Sequence, residues 1–576
     1  AFVQTAILEN TICFDTETTH LDAMQASLVG LSFAWQAHTA YYIPCPQDDI
    51  KTKAILNLLQ PLFDANDITW IGHNLKYDIL VLTHFDTMIA HYVIEPETKR
   101  NMDVLSERFL NYQPISIETL IGKKGKGQLN MRDVSIDKVK EYAAEDADIT
   151  LQLHDVFKPM LDEQEVSTLF KNVDNPLVPI LADMEFEGVK LDVDFLNNYS
   201  NFLAQEIVIA EKSVYEQAGV TFNLASPKQL GEVLFERMKL DDKAKKTKTG
   251  QYATGEDILQ KLRNKHQIVD SILRFREFSK LKSTYSDALP LMVNSKTQRL
   301  HTSYNQALVV TGRLSSNNPN LQNIPIKTEN GKEIRKAFIP KDASHVLVSA
   351  DYSQIELRVV AAVSGDKDMI AAFRDGKDIH KATAAKVYGV TEEEVTSTMR
   401  RNAKAVNFGI IYGQSAFGLS DSLGISRTEA KEIIDNYFSQ YTAIKAYMDQ
   451  SITYAKQHGY VKTLQGRKIK LNDINSSNAT VRNFAERVAI NAPIQGSAAD
   501  MIKLAMIRID KAIKDAKLQS KMILQVHDEL IFEVPKTELE TLQTLVIQEM
   551  EAAMPLPNDV PVIAAAGHGN NWLDAH

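Results

Sequence analysis

The spacing of apolar positions changes along the 576 residues of this chain. Residues 1–160 mix short apolar runs with helical stretches, an α/β pattern. TICFDTETTH reads as an apolar strand, and ITWIGHNL (68–75) as a strand running into a turn. SIDKVKEYAAEDADITLQLHDVF (135–157) repeats its apolar positions every three to four residues and predicts a long amphipathic helix. Residues 180–300 read as mostly helical, with one lysine-rich interruption. Beyond 300, strands return with long helices between them. HVLVSADYSQIELR is a strand ending at Asp351 followed by a helix start, and KMILQVHDELIFEV is two strands around a tight turn. There is no internal repeat and no low-complexity tract. The pattern predicts a multidomain chain of α/β and α+β bodies.

Composition narrows the class. The chain is 44% apolar and 24% charged, as ordinary globular proteins are. No apolar run approaches the roughly 20 residues of a membrane-spanning helix, and no secretory signal opens the chain. It begins at Ala1 rather than Met, as a fragment or processed product would. Cys13 and Cys45 are its two cysteines, which excludes a disulfide framework and points to a reducing cytoplasm. The net charge of −10 argues mildly against bulk attraction to nucleic acid. Local patches run the other way. Lys123, Lys124 and Lys126 cluster in GKKGKGQ, and Lys243, Lys245, Lys246 and Lys248 in KAKKTKTG. Both read as mobile basic loops, solvated by default and able to hold phosphates beside a nucleic-acid site.

Two sets of carboxylates carry the candidate chemistry. Asp15 and Glu17, two apart on a strand, face one side. Asp78 follows the turn in GHNLKYD, and Tyr142 and Asp146 are four apart on one face of the long helix. Four carboxylates and a phenol on a few elements could hold two divalent metals, about 3.5–4 Å apart, against a phosphodiester. Any one of these acids alone reads better as a surface charge or a helix cap. In the second set, the hairpin tip at Asp528 and Glu529 could approach Asp351, and paired carboxylates suit Mg²⁺. Ser353 and Glu356 have the spacing of a capping box.

Between these acids lies MRRNAKAVNFGIIYG. Arg400, Lys404, Phe408 and Tyr412 recur every four residues, a step that drifts by only about 40° on a helix. The stripe runs from cations to aromatics and fits a nucleoside triphosphate lying along the helix. Taken alone it is equally a solvated Arg/Lys edge beside an aromatic core stripe.

FDTET, GHNLKYD and YAAED resemble the three motifs of proofreading 3′–5′ exonucleases with four acidic residues and a tyrosine. That resemblance implies Asp15, Glu17, Asp78 and Asp146 as metal-site carboxylates and Tyr142 as the residue orienting the attacking water. DYSQIELR, RRNAKAVNFGIIYG and QVHDEL resemble the three motifs of family A DNA polymerases, with further matches in TGRLSSNNPNLQNIP, ERVAINAPIQGSAAD and the terminal GNNWLDAH. The chain resembles bacterial members that carry a proofreading domain. The connection between Asp78 and FDTM is shorter than in relatives.

The resemblance implies roles residue by residue. Asp351 and Asp528 would bind two catalytic Mg²⁺ ions; the exonuclease site would also hold two ions, with Mn²⁺ or Zn²⁺ as alternatives. Arg400, Lys404, His380 and Arg335 would hold the triphosphate, Phe408 would pack on base and sugar, and Tyr412 would guard the template side. Glu356 would be a steric gate against a ribose 2′-OH, with Gln354 beside it. Arg313, Arg487, Asn491 and Gln495 would face the DNA minor groove, where purine N3 and pyrimidine O2 accept hydrogen bonds from any pair. His527 and Glu529 would support the primer terminus.

The implied fold is a ribonuclease H-like exonuclease domain (1–165), a connecting helical region (166–194), and a right-hand polymerase. Its thumb would span 195–297, its palm 298–362 and 477–576, and its fingers 363–476. The implied function is template-directed DNA synthesis with proofreading, in replication and repair. Its partners would be primer–template DNA, dNTPs and a single-stranded 3′ end, with no membrane and the chain acting as a monomer. Two alternatives stand beside it: an exonuclease domain that only binds single strands, and a non-catalytic nucleic-acid binding protein on a polymerase scaffold. Intact Asp351 and Asp528 argue against the second.

Overall fold

The computed structural model describes residues 1–20, 24–77 and 84–576. The chain divides into two compact units. One comprises Ala1–Glu187, Ser303–Asn317 and Ser349–Ala566; the other comprises Gly188–Thr302, Asn318–Val348 and Gly567–His576.

The first unit opens with strands β1 (Thr11–Thr18), β2 (Leu28–Gln36), β3 (Thr39–Pro44), β4 (Thr69–Gly72) and β5 (His84–Asp86), in the order β3-β2-β1-β4-β5. β1, β2 and β3 pair antiparallel, whereas β4 runs parallel to β1 and β5 parallel to β4. This is the ribonuclease H-like arrangement that the motifs imply. Helix α1 (Ile136–Glu163) packs on the sheet. Alternate residues of β1 go to opposite faces. Ile12 and Phe14 join a cluster with Phe33, Leu62 and Trp70, while Cys13 joins the cluster containing Ala147 and Phe157 of α1. Asp15 and Glu17 have the parity of Cys13, so the strand's period aims both acids toward α1.

In the second unit, helices α2 (Val193–Ala218) and α3 (Ile268–Lys280) pack together. Val214, Leu230, Leu234, Leu259, Ile268 and Ile272 form the core there. The lysine-rich interruption is folded rather than open. Ala253 N–H donates to Lys245 O at 2.8 Å, Thr247 N–H to Gln251 O at 2.7 Å, and Lys246 Nζ lies 4.6 Å from the centre of the Tyr252 ring.

The second sheet contains β6 (His345–Tyr352). Behind β6 come helices α4 (Ile355–Ser364), α5 (Ile379–Tyr388), α6 (Ser397–Ile411) and the 37-residue α7 (Ala479–Asp515). Strands β7 (Lys521–Val526), β8 (Glu529–Pro535) and β9 (Ala564–Gly569) complete it in the order β7-β8-β6-β9. Val346–Ala350 and Ile523–Val526 are buried without alternation, as expected of strands covered on both faces. In α7, a Cβ on Gly496 would lie 2.5 Å from Thr463 Cγ2 and 3.0 Å from Thr311 O, so glycine lets the helix approach the segment that carries Arg313. Among the described residues, no helix is long and apolar enough to cross a membrane.

One local expectation is overturned. Ser353 does not cap α4. The N-cap residue is Gln354, in left-handed backbone with φ of 53° and no side-chain cap bond. Glu356 is therefore not half of a capping box, and its carboxylate is engaged elsewhere.

Candidate active sites

Strand β1 and helix α1 bring three of the four expected exonuclease acids together. Oxygen atoms of Asp15, Glu17 and Asp146 all lie within 4.8 Å of one another. Asp78 lies outside the described residues, as does most of the short connection after it. Crowding three carboxylates in a half-dry site opposes their ionisation. Burial pushes the Asp15 carboxyl up to about 7. Burial, and then the charge of Asp15, hold Asp146 well above the usual carboxylate range. Tyr142, one turn before Asp146 on α1, is pushed up by burial and by the charges of Asp146 and Glu17. A donor set made only of hard oxygens that repel one another suits Mg²⁺ or Mn²⁺, and Zn²⁺ also accepts carboxylates.

Asp86, at the end of β5, was not among the expected residues. It is 1% exposed, and its carboxylate accepts from four backbone N–H groups. Oδ1 takes Asn74, Met88 and Ile89 at 3.2, 2.9 and 3.1 Å, and Oδ2 takes Leu75 at 2.8 Å. It caps the helix Thr87–Ile94 and pins the GHN turn that leads to Asp78. The Asp before a helical apolar run, in FDTMIAHY, was the signal available in the sequence.

The backbone brings the segments of the polymerase-type acids side by side. β8 pairs with β6 in the second sheet, and Tyr352 N–H donates to Asp528 O at 3.3 Å, so Asp351 and Asp528 sit on bonded neighbours. Burial raises the Asp528 carboxyl, and Glu356 and Glu529 add to the rise while His527 opposes it. Glu529 is buried and accepts from Ser349 Oγ at 2.6 Å. The hairpin turn spans two residues, with Val526 opposite Glu529. His527 has φ of 59° at its first position, a place that favours glycine and costs a side chain about 1–2 kcal/mol. Gln525 Nε2 holds the turn by donating to His527 O at 2.6 Å.

The stripe is real over its first three members. α6 ends at Ile411, Tyr412 is its C-cap, and Gly413, with φ of 64°, turns the chain away. Arg400 and Lys404 are exposed and Phe408 half-buried. Arg400 is held by Asp378, with Nε and Nη2 each 2.7 Å from Oδ2. Asp378, another acid that the sequence reading missed, also caps α5 through His380 N–H and Lys381 N–H. His380 is buried against Phe408, ring centres 5.7 Å apart, with Nδ1 3.1 Å from Asn407 Nδ2. Burial pulls its pKa down to about 4, so it is neutral at physiological pH.

Glu356 joins the two groups. Its Oε2 accepts from Tyr412 Oη at 2.9 Å and its Oε1 from Arg313 Nη2 at 2.5 Å, and its charge reaches Asp528. Gln495, on α7, hydrogen-bonds to Tyr412. Arg487 lines a cavity of about 550 Å³ with Phe408, Tyr412 and Phe417, and Asn491 Oδ1 is buried without a hydrogen-bond partner among the described residues. Arg335 belongs to the second unit, where its guanidinium lies buried 4.1 Å from the centre of the Trp572 ring. Lys243, Lys245, Lys246 and Lys248 are exposed in that same unit.

The family model described as DNA polymerase family A matches residues 193–574. This chain belongs to DNA polymerase family A. A second model, 3′–5′ exonuclease, matches residues 3–162. The chain is 42% identical over 585 residues to DNA polymerase I of Pseudomonas aeruginosa, an alignment covering 98% of this chain and 64% of that protein. It is 44% identical over 602 residues to DNA polymerase I of Rhizobium leguminosarum, covering 98% of this chain and 59% of that protein. The chain thus spans roughly three-fifths of the length of these family A relatives. A solved structure of the POL domain of Pol1 from M. smegmatis, in complex with DNA primer-template and dNTP, superposes with a TM-score of 0.89 at 35% identity. That match covers 100% of this chain and 98% of the other.

Proposed function

We propose that this chain is a template-directed DNA polymerase with a proofreading 3′–5′ exonuclease, acting on primer–template DNA and dNTPs. The observation that carries the reading is Glu356. One carboxylate ties the residue capping the cationic helix, Tyr412, to Arg313 and lies within electrostatic reach of Asp528. Through this one carboxylate, Asp528, the end of the cationic helix and Arg313 are linked.

Asp351 and Asp528 would hold two Mg²⁺ ions, which supply Lewis-acid stabilisation of the attacking and departing oxygens when bound. The chain's own side chains do the rest. Arg400 and Lys404 bind the triphosphate, in competition with the hold of Asp378 on Arg400 Nε and Nη2. His380, kept neutral, donates a hydrogen bond without adding charge. Phe408 offers its ring to base and sugar, and Glu356 fills the space that a ribose 2′-OH would need. In the exonuclease, Asp15, Glu17, Asp78 and Asp146 would hold the ions, and Tyr142 would orient water toward the phosphodiester. One chain carries both sites, and its two buried thiols fit a reducing cytoplasm.

Separate inactivation tests this. Asp351→Ala or Asp528→Ala should abolish primer extension while DNA binding persists, because metal-site acids act mainly in the transition state. The Asp15→Ala, Glu17→Ala double variant should extend primers but no longer shorten single-stranded 3′ ends. Near-normal extension by either palm variant would overturn the assignment.

A further inference from the structure

The segment Ser303–Asn317 folds as a hairpin, residues 303–305 pairing with 315–317, and carries Arg313 between its strands. Its backbone is gripped by side chains from the exonuclease body. Lys76 Nζ donates to Tyr304 O, Arg100 to Ala307 O, and Tyr92 Oη to Val309 O at 2.6 Å. Glu185 Oε1 completes the first grip, accepting from Lys76 Nζ at 2.6 Å and from Tyr304 N–H at 2.5 Å.

The other end of Tyr304 reaches the second sheet. β7 is an edge strand of that sheet, so an outward-facing N–H and C=O need partners from elsewhere. At Gln525 the Tyr304 hydroxyl serves both, accepting from the N–H at 2.9 Å and facing the carbonyl at 3.3 Å. Tyr304 is 1% exposed and Gln525 3% exposed, so bulk water does not reach this contact. The Gln525 side chain in turn holds the turn at His527 from which Asp528 projects.

Resting on the polymerase reading above, we propose that Tyr304 is a positioning residue for the Asp528 hairpin, and that Lys76 of the exonuclease body and Glu185 of the connecting helix Leu177–Glu187 set its position. The exonuclease body is then a working part of the polymerase site. A displacement of about 1 Å at a reacting centre slows catalysis by up to ~100-fold without removing any group that touches substrate.

The test compares the full chain with its Tyr304→Phe variant on a primer–template and on a single-stranded oligonucleotide. The expected result is a kcat for dNTP addition lowered about tenfold, a dNTP KM within about threefold, and an unchanged rate of single-strand 3′ degradation. A Glu185→Gln variant should lower kcat about threefold with KM changed less than kcat, and it reports if Tyr304→Phe does not fold. Parent-like kcat in both variants overturns the inference, and so does equal loss of extension and degradation, which signals general damage. If the parent itself extends no primer, the polymerase reading fails instead.

Discussion

Arg467 is fully buried among charges, and replacing it should be among the most damaging single changes in this unit. Its Nη2 lies 2.8 Å from Asp174 Oδ2 and 2.6 Å from Asp500 Oδ1, and its Nε donates to Asp500 Oδ1 at 3.0 Å. Lys503 Nζ donates to Asp174 Oδ1 at 2.7 Å, and Thr463 Oγ1 to Asp500 Oδ2 at 2.7 Å. No side chain of the four charged residues is more than 2% exposed. Two acids and two bases cancel. Arg467→Met keeps much of the volume but leaves one uncompensated negative charge in a dry site. Breaking a buried pair in this way costs about 3–5 kcal/mol.

The pH dependence has a definite sign. In the parent, Arg467 and Lys503 hold Asp174 below its ordinary value against burial, so its contribution is present above that value and lost as pH falls through the lowered one. Asp500 is held above its ordinary value by burial, despite Arg467. Without Arg467, both acids are driven toward the neutral form, whose stability is present at low pH and lost as pH rises through the raised value. The deficit in urea unfolding should therefore be larger at pH 8 than at pH 5. A loss under about 1 kcal/mol, or a deficit that does not change with pH, would refute the account of this network.

Three further outcomes follow from the two sites. Asp15→Asn should stabilise the metal-free protein in EDTA at pH 8, because the parent loses stability as pH rises from the ordinary 3.8 toward the raised value of about 7. A rise from 3.8 to about 7 corresponds to ~4 kcal/mol in a dry site, reduced by solvent to about 1–2 kcal/mol; an unchanged melting temperature contradicts it. Glu356→Ala should raise ribonucleotide incorporation by roughly tenfold or more, since it opens the 2′ position; unaltered ribonucleotide rejection in single-turnover kinetics would remove the gate. Phe408→Tyr should relax discrimination against dideoxynucleotides by tenfold to a hundredfold, since one polar contact is worth ~1–3 kcal/mol. The check is the ratio of kcat/KM for a dNTP and its dideoxy analogue, and an unchanged ratio means that Phe408 does not face the sugar.

Much of the geometry of both candidate sites was legible because period and chemistry coincide. Asp15 and Glu17 share a strand face, Tyr142 and Asp146 a helix face, and Arg400, Lys404 and Phe408 a stripe, all within one element. What failed was local or long-range. Ser353 and Glu356 have capping-box spacing, yet the tertiary pull of Arg313 and Tyr412 takes the Glu356 carboxylate away from the helix end. Asp86 and Asp378 carried N-cap signals whose second duties, pinning a turn and holding Arg400, depend on residues far away in sequence. Tyr304 and the Asp174–Arg467–Asp500–Lys503 network have no sequence pattern at all, because Tyr304 lies 221 positions from Gln525, and Asp174 lies 293 from Arg467 and 329 from Lys503. The interleaving of the two units is likewise invisible to any window along the chain.

The central claim is that one chain both builds and trims a DNA 3′ end. The direct measurement incubates the parent protein with a labelled primer–template and Mg²⁺, with and without dNTPs, and resolves primer length over time. The account predicts lengthening with dNTPs, shortening without them, and neither in EDTA. Shortening in both conditions, or no change in either, would contradict it.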